Sequence, residues 1–174
     1  MTSCWAIYKL SIGYLRIEHR DQRLTLVQML QREPLHFGEA DEFCDRVAEQ
    51  LSEYLRGERC EFDLEIATSG CTPFQQRVLE QLRRIPYGQT RTYKEIAEAI
   101  GSPRAARAVG MANNHNPIQI IIPCHRVVGS SGRLVGYAAG IETKSRLLEI
   151  ERTYDKATFE MGREWSSERS KIKI

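Results

Sequence analysis

An α/β N-terminal domain followed by a mostly α C-terminal domain with a helix-turn-helix is the fold predicted by this 174-residue sequence. Three observations predict it. The first 28 residues hold three short apolar runs broken by turn residues, the pattern of an antiparallel meander with one wet face. Residues 41–56 then switch to helical spacing, with Phe43, Val47, Leu51, Tyr54 and Leu55 on one stripe. Beyond residue 70, two capping-box signatures each open a helix, and the second is followed by a glycine turn and an arginine-bearing segment.

The meander strands are read as 5–10, 14–19 and 24–27, separated by Ser11–Gly13 and Arg20–Arg23. The helix over 41–56 covers them and ends at Gly57, a residue suited to the left-handed turn past a helix. Phe62 to Ile66 is read as a last strand, and Thr68–Cys71 as a linker. No chemistry is evident in this part. The domain bounds are therefore 1–69 and 70–152, with a polar, fraying tail over 153–174.

Thr72, Pro73 and Gln75 supply an N-cap, a first-turn proline and the reciprocal capping residue of the next helix. Its buried stripe is Phe74, Val78, Leu82 and Ile85, and Pro86–Gln89 is a turn. Thr92 and Glu95 cap a second helix with Ile96, Ala97 and Ile100 facing inward. Gly101-Ser102-Pro103 then turns into a short helix read as Arg104 to Ala112. Ala105, Ala106, Ala108, Val109 and Gly110 make that helix nearly all small residues, so its backbone can approach DNA closely, as a narrow minor groove requires. Arg104 and Arg107 lie one turn apart on it.

Composition sets the outer bounds. Hydrophobic residues at 41% allow a packed core, and 28% charged residues are ordinary for a soluble chain. No apolar run approaches a membrane span, and the first residues carry no charged-then-apolar signal pattern. Five cysteines without CxxC spacing suggest neither a disulfide framework nor a zinc ribbon. A working thiol suits a reducing compartment, the cytoplasm or, in a eukaryote, the nucleus. The net charge of +2 hides an asymmetry: residues 1–70 hold 13 acids and 8 bases, net −5, whereas residues 86–146 hold 8 bases and 3 acids, net +5. A basic surface in the second half points to a polyanionic partner.

Ile120-Ile121-Ile122-Pro123-Cys124-His125-Arg126-Val127-Val128 lies inside that basic segment. The isoleucine run is read as a buried strand, and Pro123 as the residue that stops it. Cys124 would then meet unpaired backbone N–H groups, which lower a thiol pKa from its free value of about 8.5. Adjacent residues on a strand or helix do not face each other, so His125 needs a bridging water or a sharp turn to serve Cys124. Cys71 is read as structural.

Pro123-Cys124-His125-Arg126-Val127 resembles the active-site motif of the O6-alkylguanine-DNA alkyltransferases. The resemblance runs from about Thr72 to Glu151, through Arg104–Gly110, Asn116-Pro117 and Gly136-Tyr137, and is loose over the first seventy residues. It implies a ribonuclease-H-like N-terminal domain and direct repair, in which the alkyl group of O6-alkylguanine passes irreversibly to Cys124, once per molecule, without cofactor. The implied partner is double-stranded DNA carrying the lesion, bound through the minor groove by a monomer.

By the same resemblance His125 takes the thiol proton through water and Glu151 holds His125. Tyr93 moves the target phosphate and later hydrogen-bonds the guanine, and Asn116 ties the helix-turn-helix to the active-site loop. Arg107 fills the gap left by the swung-out nucleotide, with Arg104, Ala105, Ala106 and Arg126 also on the DNA. Tyr137, Ala138, Ala139, Lys144 and Val127 wall the base pocket. Ala139 stands where a glycine is common, so benzyl adducts are expected to react less well than methyl ones. Some relatives bind zinc in the N-terminal domain. Here Arg20 and Thr25 occupy the partner positions of Cys4, and no metal is expected.

Three rival classes remain to be separated. A cysteine hydrolase has no need of a basic helix-turn-helix, and a transcription factor has no need of Pro-Cys-His-Arg. An alkyltransferase-like lesion binder without repair activity lacks the acceptor cysteine.

Overall fold

A computed structural model describes residues 3–154; all but the first two residues of the expected 153–174 tail lie outside them. Three strands, β1 (Ser3–Leu10), β2 (Gly13–Arg20) and β3 (Arg23–Met29), form an antiparallel meander in that order. Ala6, Leu15, Ile17, Leu24 and Val27 face the core. Period-2 alternation holds along β2, and a β-bulge on β3 opposite the Glu18–His19 step lets Leu24 and Val27, three residues apart, share that face. The β2–β3 turn runs through Asp21 and Gln22 with both φ positive, at 48° and 57°, the hand that suits a tight hairpin.

Neither sheet edge is left open. The β1 edge is covered by residues 37–39: Ile7 N donates to Phe37 O at 2.8 Å and Glu39 N to Trp5 O at 3.2 Å. Gly38 sits there at φ +74°, where a Cβ would lie 2.3 Å from Trp5 O, so only glycine fits. The β3 edge takes two segments. Leu24 pairs with residues 65–67, and Val27 with 117–119. The expected strand over 62–66 is thus reduced to one bridge, Leu24 to Ile66, because side-by-side pairing is already shared with the later segment.

Helix α1 (Glu42–Leu55) packs on the meander. Asp41 caps it by accepting from Cys44 N at 2.9 Å. Gly57, at φ +74°, ends it: Glu58 N donates to Glu53 O and Gly57 N to Tyr54 O, a Schellman motif. Helices α2 (Pro73–Arg83) and α3 (Tyr93–Ala99) both carry complete capping boxes, on Thr72–Gln75 and Thr92–Glu95. Helix α4 (Ala106–Asn114) starts two residues later than the sequence suggests. Arg104 and Ala105 precede it, because Ser102-Pro103 must first complete the turn out of α3.

Helices α2, α3 and α4 pack against one another, and α5 (Ile141–Thr153) closes the molecule. Two very short parallel strands, β4 (Arg91–Thr92) and β5 (Val127–Val128), link the start of α3 to the segment after Cys124. One hydrophobic cluster runs from Leu15 and Ile17 of the meander through Leu51 of α1 to Val78, Ile96, Ile122 and Leu147. No helix among the described residues is long and apolar enough to cross a membrane.

The candidate active site

The isoleucine run before the cysteine is not a strand. Ile121 N donates to Gln119 O at 2.9 Å around Ile120, whose φ is +73°, so the chain makes a γ-turn there. A β-branched residue in that region is a genuine outlier, costing on the order of 1–3 kcal/mol. Pro123, at φ −79° and ψ 63°, makes an inverse γ-turn in which Cys124 N donates to Ile122 O at 2.8 Å. A single 3-10 turn, Cys124–Arg126, follows. These three turns supply the sharp bend that puts consecutive residues to different uses.

Asn116 fastens the loop from inside. Its Nδ2 donates to Ile122 O at 2.8 Å and Ile118 O at 3.3 Å, while Oδ1 accepts from Ile118 N at 3.0 Å. It follows directly on α4, so the helix-turn-helix and the cysteine loop are tied through one buried amide.

Cys124 is 2% exposed. Its thiol pKa is raised, not lowered, and burial is the largest cause. The lowering anticipated from unpaired amides does not prevail, because Cys124 N and Arg126 N are both spent on local carbonyls and a three-residue turn has little dipole. Hydrogen bonds from Asn116, Tyr137 and the Ile120 backbone, with the nearby Lys144 charge, offset only part of the desolvation. The γ-turn at Ile120 thus contributes directly, by placing backbone against the sulfur.

His125 is fully buried, with Nε2 2.8 Å from Glu151 Oε1. Burial would raise the Glu151 carboxyl, but hydrogen bonds and charges from His125 and Arg126 outweigh it and hold the pKa at about 2. An ionised carboxylate only accepts, so Nε2 carries the proton and Nδ1 keeps its lone pair. Nδ1 is buried and has no hydrogen-bond partner among the described residues. Desolvation, the largest influence on the ring, lowers the His125 pKa, so the imidazole rests neutral.

Two residues in this cluster differ from their expected roles. Arg126 is not on a DNA-facing surface. It is 7% exposed, with Nε 3.0 Å from both Glu151 oxygens, Nη2 2.8 Å from Oε1, and Nη1 donating to Ile85 O at 2.6 Å. The 3-10 turn swings it inward, and a buried carboxylate so close to a neutral imidazole requires a cation. Tyr54, assigned by sequence only to a core stripe, donates to Glu151 Oε1 at 2.5 Å and lies 3.2 Å from His125 Nε2. Burial and the Glu151 charge push its pKa well above 10, which keeps the proton on the hydroxyl. The signal was present: a tyrosine on an apolar stripe has a hydroxyl that must find a partner.

Around the sulfur, Tyr137 hydrogen-bonds to Cys124 and its pKa is driven up, first by burial. Lys144 is buried, donates from Nζ to Val135 O at 2.9 Å, and is pulled down to about 8 by desolvation. Its ammonium lies 5.9 Å from the Tyr93 ring and 6.0 Å from the Tyr137 ring. Tyr93 Oη donates to Val135 O at 3.1 Å, so it pins the 135–140 loop. Ala138 is exposed and its carbonyl accepts from Gln31, while Ala139 is half-buried in the same loop. Val127 is wholly buried in β5, paired with Arg91.

On α4, Arg107 is exposed and Ala106 half-buried; just before it, Arg104 is exposed and Ala105 half-buried. The basic segment is thinner at the surface than its count suggests, because Arg126 and Lys144 are interior.

A meander joined to a helix-turn-helix, with a buried cysteine beside a carboxylate-held histidine, defines a thiol-acceptor protein built on a DNA-binding helical unit. The family model described as 6-O-methylguanine DNA methyltransferase, DNA binding domain, matches residues 73–153. The methylated-DNA–protein-cysteine methyltransferase of Mycolicibacterium paratuberculosis is 49% identical over 84% of this chain and 91% of its own. That of Methanosarcina acetivorans is 44% identical over 84% and 97%. A crystal structure of Mycobacterium tuberculosis OGT in complex with DNA superposes with a TM-score of 0.80, at 45% identity over 88% of this chain and 96% of that one. The chain belongs to the methylated-DNA–protein-cysteine methyltransferase family.

Proposed function

We propose that this protein performs direct DNA repair by transferring the alkyl group of O6-alkylguanine to Cys124, irreversibly and once per molecule. The observation that carries the reading is the His125 ring: Nε2 is committed to Glu151 and Nδ1 is left as a lone-pair nitrogen in a buried site. A water between Cys124 and Nδ1 passes the thiol proton to the ring, and Glu151 stabilises the imidazolium. The thiolate attacks the alkyl carbon, the carbon–O6 bond breaks, and its electrons stay on guanine, which takes a proton from Tyr93 or water. The thioether has no route back.

A base stacked in a duplex blocks in-line attack, so the nucleotide is rotated out at a cost of a few kcal/mol. Arg107, exposed on α4, fills the vacancy, and the small residues Ala105 and Ala106 let this segment enter the minor groove. Tyr137, Ala138, Ala139 and Lys144 wall the base pocket. Full ionisation of the thiol gains at most tens-fold in rate, whereas positioning reaches effective molarities on the order of 10⁵ M or above. A raised thiol pKa is therefore tolerable where aim is good.

The reading extends to the chain's organisation: residues 1–69 form a ribonuclease-H-like unit, 70–152 the catalytic and DNA-binding unit, and the protein acts as a monomer in a reducing compartment. The meander followed by α1 supports the first of these. Intact-mass spectrometry after incubation with an O6-methylguanine duplex tests the repair reading. One methyl is gained, on Cys124, and none by Cys124→Ser. Clearance of many lesions by one molecule, or repair by the serine variant, overturns it.

A further inference from the structure

The residues around Cys124 leave one group of metal-ligating side chains unexplained. Cys4 on β1 stands directly opposite His19 on β2, and residues 41 and 44 bring an aspartate and a cysteine to the first turn of α1. The donor atoms of Cys4, His19, Asp41 and Cys44 all lie within 4.8 Å of one another. A tetrahedral zinc with bonds of 2.0–2.3 Å sets its donors about 3.3–3.8 Å apart, so contraction by about 1 Å closes the cage.

We infer that Cys4, His19, Asp41 and Cys44 bind a thiophilic divalent cation, zinc in preference, which clamps the start of α1 to the β1–β2 pair. Two sulfurs, an imidazole and a carboxylate are a donor set that zinc accepts and that magnesium and calcium do not. Three separate elements converge on the cluster, and the joined elements belong to a three-stranded sheet small enough to benefit from a staple.

A second observation points the same way. His19 is 3% exposed, yet its Nδ1 is buried without a hydrogen-bond partner among the described residues. Its Nε2 lies 2.7 Å from Asp41 Oδ2. In the metal-loaded state Asp41 turns from His19 Nε2 to complete the cage as its fourth ligand, and His19 Nδ1 supplies the imidazole donor. Binding exchanges the two thiol protons for the cation. The protons go to solvent, and Cys4 gives up its present bond to Glu39 O.

This set is not the one the family resemblance implies. Arg20 is exposed, and Thr25 Oγ1 donates to Glu18 O, so neither takes part. His19, Asp41 and Cys44 come together with Cys4 only through the cross-strand register and the seating of α1.

The full chain, stripped with a chelator and given one equivalent of Co²⁺ alone, tests the site. A sulfur-to-cobalt charge-transfer band with tetrahedral d–d bands is expected, displaced by Zn²⁺, and Cys4→Ser and Cys44→Ser should each halve the sulfur band. The triple variant Cys60→Ser, Cys71→Ser, Cys124→Ser retains only Cys4 and Cys44 of the five cysteines and should keep the full spectrum. Absence of the band in the wild type, or a band that neither single variant weakens, overturns the proposal. None of these outcomes bears on alkyl transfer, which draws on different residues.

Discussion

Glu151 Oε1 stands 2.8 Å from Nε2 of His125, and neither side chain reaches solvent. Such a carboxylate is tenable only because Arg126 holds both of its oxygens and Gly88 N donates to Oε2 at 3.0 Å. The helix stripe that delivers it, with Lys144 and Leu147, therefore ends in charge instead of apolar packing.

Loss of that carboxylate should destabilise the protein in a pH-dependent way. The Glu151 pKa falls from 4.5 to about 2 on folding, so its contribution is full above the unfolded value and is lost as pH drops from about 4.5 through 2. Glu151→Gln leaves Arg126 buried without a counter-charge, and we expect a loss of about 3 kcal/mol at neutral pH. Urea unfolding of both proteins at several pH values checks this. The gap between them must shrink towards pH 2, and a constant gap rules the account out.

Tyr54→Phe should reveal a positioning residue. Removing the hydroxyl that donates to Glu151 Oε1 costs about 1–2 kcal/mol of stability. It also concentrates negative charge on the oxygen facing His125, which raises the imidazole pKa. The acid limb of the alkyl-transfer rate then moves to higher pH, since the ring is protonated sooner. A purely structural tyrosine would lower stability and leave the limb where it was.

Lys144→Met should separate stability from reactivity. The Lys144 charge lowers the Cys124 pKa, yet burial pulls its own pKa down to about 8, so the ammonium is costly to keep. Methionine fills similar space without the charge. Transfer at pH 7 should slow several-fold and the midpoint of thiol alkylation by iodoacetamide should rise, with a melting temperature no lower than the wild type. An unchanged thiol midpoint would remove Lys144 from the site.

The capping boxes at Thr72 and Thr92, the meander and the α1 stripe were legible because each depends on neighbours in sequence. The route into Cys124 was not. Isoleucines at 120–122 read as strand by composition, but the β3 edge offers pairing at Val27 to Ile118 and little beyond, and the chain turns at Ile120. Arg126 shows a second limit: an arginine in a basic segment reads as surface until the position of Glu151, 25 residues on, is known. Tyr54 joins the site from 71 residues before His125, a distance no local pattern spans.

Arg107 and Arg126 should behave as opposites. Arg107→Ala removes an exposed cation from α4, so the salt slope of DNA binding should fall by about 1 and repair should drop further than binding to undamaged duplex. Arg126→Ala strips Glu151 of its ion pair and should cost about 3–5 kcal/mol of stability. Filter binding across salt concentrations and thermal melts distinguish them. A well-folded Arg126→Ala with weakened DNA binding would return that residue to the interface.

Ala139 offers a test of the pocket itself. It is half-buried in the loop that Tyr93 anchors through Val135 O and that Lys144 Nζ holds through the same carbonyl. With the loop fixed on one side, an added methyl cannot be relieved by a shift of backbone, and it narrows the space for a large O6 substituent. Ala139→Gly should raise the rate for O6-benzylguanine by about tenfold, the worth of one or two methylenes in a tight pocket, and leave the methyl adduct nearly unchanged. Competition of the two free bases for Cys124, read by intact mass, gives the ratio directly. Equal rates for both adducts in the wild type would show that Ala139 does not face the alkyl group.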